Sequence, residues 1–200
     1  GDGLKGTDDI AVPVKGGQYV KEAKIGRAIM DADVFISLTH FKGHELTGFG
    51  GAIKNIGMGC GSRAGKKEQH SNGKARISQH KCRGCLRCLK ECANKALVFD
   101  TVRKKMTVNK ENCVGCGRCL GSCNFDAISF DNDAAVEQLN RRMAEYAKAV
   151  LDGRPSFHIS LVVDVSPYCD CHGENDVPIL PDLGMFASFD PLALDQACVD

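Results

Sequence analysis

Eight of the chain's cysteines fall into two runs of identical spacing. Cys82, Cys85, Cys88 and Cys92 follow a C-x2-C-x2-C-x3-C pattern, and Cys113, Cys116, Cys119 and Cys123 repeat it 31 residues later. Three thiolates placed three residues apart on a tight loop can hold three irons of one iron–sulfur cubane, and the fourth iron needs a thiolate from elsewhere in the chain. The offset holds beyond the cysteines: Gly84 maps to Gly115, Leu89 to Leu120, Ala96 to Ala127, Leu97 to Ile128, Phe99 to Phe130 and Asp100 to Asp131. Such agreement marks an internal duplication. Gly84, Gly115 and Gly117 suit ligand loops, because glycine lets backbone amides turn towards sulfur without a side-chain clash. Zinc sites normally use CxxC pairs separated by a long gap, and three cysteines this crowded make poor disulfide partners. Iron–sulfur ligation is therefore the chemistry that the spacing favours.

The stretch from Gln79 to Asn132 resembles a bacterial two-cluster ferredoxin domain. In such domains the fourth cysteine of each run ligates the other cluster. The resemblance implies two [4Fe–4S] clusters, one on Cys82, Cys85, Cys88 and Cys123, the other on Cys113, Cys116, Cys119 and Cys92. Proline usually follows the fourth cysteine; Ala93 and Asn124 stand there in this chain.

The totals narrow the class. Two hundred residues, 43% of them hydrophobic, allow one domain of ordinary size and a small second one. Twelve cysteines, eight of them at cluster spacing, point to a reducing compartment, the cytoplasm. No apolar run is long enough for a membrane span and no signal-peptide pattern is present. The formal charge is +1, and eight thiolates with two oxidised cubane cores would take it to about −3. The ten Lys/Arg against five Asp/Glu between Gln79 and Asn132 are then compensation for buried cluster charge, and no nucleic-acid recognition pattern accompanies them.

The elements around the cysteine segment read as α/β. Ile10–Val14 and Gln18–Val20 flank a Lys15-Gly16-Gly17 turn and predict a hairpin; Ile25, Ile29 and Met30 predict a short helix within Lys21–Ala32. Asp33–Thr39 (DVFISLT) has the composition of a buried parallel strand ending at His40. A glycine-rich stretch follows, with a helix expected over Thr47–Ile56, and His70–Gln79 reads as a polar linker. Ala96–Phe99 and Lys105–Val108 predict paired strands. Asp133 is placed to cap a helix over Ala134–Asp152, which Gly153 ends. Ser156–Val165 is a second buried strand, ending near Asp164, and Met185–Ser188 a short third. Asp190-Pro191 opens a last helix. Because strand–helix alternation resumes after the cysteines, the fold class expected is α/β: a mostly parallel sheet domain, truncated, formed by 1–78 and 133–200 and interrupted by a ferredoxin-like α+β insert at 79–132.

In open α/β sheets ligands collect beyond the carboxyl ends of the strands. The loops after the two buried strands are thus expected to share one cleft. Its candidate residues are His40, Lys42, His44, Lys54, Asp164, Cys169, Cys171 and His172, suited to proton transfer and anion binding. An additional metal or anion near His40/His44 and Cys169/Cys171/His172 is one reading, reactive thiols a second, and inert buried cysteines a third. Ser37–Gly59, Asp164–Ser188 and Asp190–Asp200 resemble a family catalogued as domain of unknown function 362, often described as iron–sulfur proteins. The resemblance spans nearly the whole chain and implies the insertion and two clusters; its members are usually longer at the N-terminus, in keeping with two chain ends that read as cut. The function expected is one-electron transfer through two clusters to or from a redox partner protein or a site on the α/β domain, which leaves open whether the chain is an oxidoreductase component. The alternative is a protein that binds a small anionic ligand or senses redox state, with structural or oxidation-sensitive clusters.

Overall fold

The computed structural model describes residues 1–71, 73–170 and 177–200. The chain is a mixed α/β protein that divides into two compact units. One comprises residues 1–69 and 140–200, the other residues 70–139.

In the first unit, β1 (Asp9–Pro13) pairs antiparallel with β2 (Glu22–Gly26), Ile10 opposite Ile25. The second strand of this hairpin lies where a helix was expected, and α1 is only Arg27–Met30. Two facts explain the shift. Ala23 and Ile25 are buried with strand alternation, and the amides of Gln18, Tyr19 and Val20 donate to the Glu145 carboxylate, which takes that segment out of any ladder. A three-stranded sheet follows the order β11 (Gly184–Ser188), β10 (Ser156–Val162), β3 (Phe35–His40). β10 runs parallel to β3 and antiparallel to β11. Among the described strands this is the one parallel pair, so the expected mostly parallel sheet is not what forms.

Nor is β3 buried on both faces, as its apolar run predicts. Ser37 and Thr39 are buried, whereas Ile36 and Leu38 are 64% and 63% exposed. Polar partners set the register: the Ser37 hydroxyl lies 2.8 Å from Nδ1 of the fully buried His158, and Asn55 Nδ2 donates to Thr39 Oγ1. A row of hydrogen bonds inside leaves the apolar row outside.

After β3 comes a hairpin of β4 (Lys42–His44) and β5 (Gly48–Gly50), then α2 (Ala52–Cys60) and α3 (Arg63–Gln69). The helix expected over Thr47–Ile56 therefore starts later. Its start is fixed by a distant residue. Asp195 on α7 (Pro191–Val199) accepts from the Ala52 and Ile53 amides at 2.5 and 2.9 Å. Asp190 caps α7 as its sequence predicts, accepting from Leu192 and Ala193. The helix α6 (Ala135–Leu151) forms near its predicted bounds, though Asn132 rather than Asp133 accepts from the Ala134 amide. Val20, Ile25, Ile56, Tyr146 and Val150 form one core; Phe41, Val162, Val165 and Leu194 form another.

The second unit holds β6 (Ala75–Ile77), α4 (Arg87–Glu91), β7 (Leu97–Asp100), β8 (Lys105–Val108), α5 (Arg118–Gly121) and β9 (Ile128–Phe130). β7 pairs with β8 as predicted, and β6 pairs with β9. β6 lies inside the stretch that reads as a linker, so the structural repeat begins earlier than the cysteine pattern. Lys74-Ala75-Arg76-Ile77 precede Lys105-Met106-Thr107-Val108 by the same 31 residues.

Candidate functional site

In the second unit the two cysteine runs interlock. Cys82, Cys85, Cys88 and Cys123 line one cavity, and Cys113, Cys116, Cys119 and Cys92 line another. Each cavity thus takes three thiols from one run and the last from the other. The backbone repeats along with the sequence. Gly84 and Gly115 have φ of 65° and 74°, Leu86 and Gly117 of 64° and 81°, Lys95 and Asp126 of 51° and 47°. These left-handed turns swing the chain tightly around each cavity. Close approach fixes the glycines as well. A Cβ on Gly84 would lie 2.2 Å from Lys104 O, and one on Gly115 would lie 2.1 Å from Gly73 O. The two contacts are related by the 31-residue offset with the halves exchanged.

The hydrogen bonds to sulfur show the same exchange. The Ala75 amide donates to Cys113 Sγ at 3.4 Å, and the Met106 amide donates to Cys82 Sγ at 3.5 Å. The Ala96 amide donates to Cys92 Sγ at 3.2 Å. Burial first, then the neighbouring Cys123, Cys85 and Cys82, pushes the Cys88 thiol up to about 11. Burial and then Cys116, Cys113, Cys88 and Cys92 push Cys119 up to about 12. In each set one thiol, Cys88 or Cys119, is thus held protonated by burial and by the sulfurs crowded around it. These residues fit a four-iron cluster in each cavity: four soft donors, amides directed at sulfur, and apolar walls such as Ile77 and Ile128 or Leu97 and Phe130. Among the described residues no group of three or more His, Cys, Asp or Glu side chains is placed to hold a single metal ion.

The first unit holds a second candidate site. The loop after β3 meets the loop after β10: the Gly43 amide donates to Ser166 O at 2.8 Å, and a Cβ on Gly43 would lie 2.3 Å from Pro167 O. Between them opens a cleft of about 290 Å³ lined by Lys42, Lys54, Asn55, Cys169 and Asp170. Lys54 Nζ donates to Cys169 Sγ at 3.2 Å. Lys42 Nζ, its side chain only 11% exposed, pairs with Asp170 Oδ2 at 3.0 Å. His40 Nδ1 lies 3.0 Å from the same oxygen, while its Nε2 lies 2.8 Å from Val163 O. Both ring nitrogens thus face oxygen atoms of the loop after β10. Burial would raise Asp170, but the bonds from His40 and Lys42 outweigh it and hold its carboxyl below the usual range.

Of the residues expected in this cleft, Lys42, Lys54 and Cys169 line it and His40 supports it through Asp170. His44 does other work: its Nδ1 accepts from the Leu46 and Thr47 amides and shapes the β4–β5 turn. Asp164 is exposed, with φ of 46°, and its amide donates to Asp182. Cys171 and His172 lie outside the described residues. Asp170 carried no sequence signal beyond its place beside Cys169. The sulfur-directed amides of Ala75 and Met106 were findable by running the repeat backwards to Lys74. Cys60 and Cys198 are buried, and burial pushes both thiols up.

Fold and site together define a mixed α/β protein with a duplicated eight-cysteine unit. The family described as Domain of unknown function (DUF362) matches residues 1–200, and the chain belongs to that family. No curated protein matches it. Among the described residues, no helix is long and apolar enough to cross a membrane.

Proposed function

We propose that the unit 70–139 is a two-cluster ferredoxin-like insert and that the protein is a one-electron relay. The reading rests on one observation: each of two cavities is lined by four cysteines, three from one run and the fourth from the other. Bound there, [4Fe–4S] clusters would supply reversible one-electron chemistry at low potential. The chain's residues do the rest. Cys82, Cys85, Cys88 and Cys123 hold one cluster, and Cys113, Cys116, Cys119 and Cys92 hold the other. The Ala75, Ala96 and Met106 amides stabilise negative charge on the sulfurs, and the apolar walls exclude water. A redox partner protein in a reducing cytoplasm is the donor or acceptor.

Anaerobic purification and analysis test this directly. About eight iron and eight sulfide per chain are expected, with an absorbance that bleaches on reduction and returns on reoxidation. Two zinc and no sulfide would refute the assignment; clusters that cannot be cycled would refute the relay.

A further inference from the structure

The cleft in the first unit contains a nucleophile that electron relay does not use. Cys169 is buried at 6% exposure, yet its side chain lines an open cleft with the Lys54 ammonium 3.2 Å from its sulfur. A cation at that distance favours the thiolate, the form that attacks electrophiles. Cys60 and Cys198, equally buried, have no lysine within hydrogen-bonding distance of sulfur among the described contacts, and burial holds them as thiols. Lys42 lines the same cleft. Gly50 leaves space for both lysine stems: a Cβ there would sit 2.9 Å from Lys42 Cδ and 3.5 Å from Lys54 Cδ. The described charges lining the cleft are the ammonium groups of Lys42 and Lys54 and the carboxylate of Asp170. With Lys54 directed at the Cys169 sulfur, Lys42 is the second ammonium in the cleft and the group able to hold a carboxylate on a ligand.

We propose that Cys169 is a nucleophilic thiolate activated by Lys54, in a site for a small molecule that carries an electrophilic carbonyl carbon beside a carboxylate. The carboxylate is held at Lys42. The sulfur lone pair forms the S–C bond, the C=O π pair moves onto oxygen, and the Lys54 ammonium gives that oxygen a proton. The addition leaves neutral Lys54 and a hydroxyl-bearing adduct, and it consumes no oxidant or reductant. The cleft, about 290 Å³, falls just short of the roughly 300 Å³ at which drug-sized sites begin, so its ligand is a small one.

Alkylation of the anaerobic holo-protein separates the parts of the proposal. Iodoacetate serves as the anionic probe and iodoacetamide as the neutral one, with the modified cysteine located by peptide fragmentation. Cys169 is expected to react roughly tenfold or more faster than Cys198, and faster with iodoacetate than with iodoacetamide. Lys54→Met should slow both reagents roughly tenfold, and Lys54→Arg should recover part of the rate. Lys42→Gln should abolish the preference for iodoacetate and leave the iodoacetamide rate nearly unchanged. Alkylation of Cys169 no faster than that of Cys198 would overturn the thiolate. Equal rates for the two reagents on the unmodified chain would overturn the carboxylate site, without need of any variant.

Discussion

Asp195 sits 143 residues from Ala52 in sequence and yet sets where α2 begins. Its carboxylate is 4% exposed and accepts from the Ala52 and Ile53 amides. Asp195→Ala leaves the buried Ala52 amide and the part-buried Ile53 amide without that acceptor. Each such loss costs about 1–3 kcal/mol, and an N-cap alone is worth about 0.5–2 kcal/mol. Burial raises the Asp195 pKa despite the two amides, so desolvation offsets part of the gain and the lower half of the range applies. The net loss should be about 2–3 kcal/mol, and roughly half of that for Asp195→Asn, whose single oxygen can serve one amide. Hydrogen exchange on the holo-protein is the local assay. At about 1.4 kcal/mol per factor of ten, the amides of α2 should exchange roughly 30- to 150-fold faster in Asp195→Ala. Because α2 carries Lys54 and Asn55, the cleft should loosen with it. Exchange within threefold of the parent would show that the contact does not hold the helix.

Cys92→Ser should cost about four irons and spare the set held with Cys82, whereas Cys123→Ser should do the reverse; iron analysis with paramagnetic resonance of the reduced protein decides, and a loss confined to the mutated run's own set would refute the exchange. Cys85 is exposed and Cys116 half-buried, so controlled exposure to air should degrade the Cys85 set first, and simultaneous loss would count against that ranking. Burial lowers the pKa of His158, so its neutral ring contributes stability that is present above the unfolded value of about 6.5 and is lost as pH falls towards the depressed folded value. The urea midpoint should therefore drop between pH 7.5 and 5.5, and His158→Asn should flatten that slope; parallel slopes would contradict it.

What the sequence disclosed was mostly local. The β7–β8 hairpin, the Asp190 cap and most of α6 depend on neighbours a few residues away, and all were readable. Long-range partners overturned the rest. Gln18–Val20 has strand composition, but its amides belong to Glu145. Lys21–Ala32 carries a helical stripe, but Ala23 and Ile25 are buried opposite β1. The apolar run at Phe35–His40 does form a strand, yet Ser37 and Thr39 point inward because His158 and Asn55 supply their bonds from over 100 and about 16 residues away. At the cysteines the pattern is set by ligand spacing on the backbone itself, which is why it was visible. At the cleft, Lys42, Lys54 and Cys169 are legible from residue type together with their place in the loops beyond two strand ends. Asp170, which ties the two loops together, has no pattern that sequence could reveal.

The exchange between the two cysteine repeats has a consequence for how such a unit could arise. A lone repeat carries four thiols, but only three of them face its own cavity, and the amide directed at its first cysteine comes from the other copy. Free single repeats would have to associate as a symmetric pair to complete either site, at a cost set by their concentration. Joining them in tandem replaces that encounter with an intramolecular one, at effective concentrations in the millimolar range for a short connection. Duplication here therefore does more than double a site. It removes a dilution limit, and once the copies are fused neither can be deleted, because each completes the other.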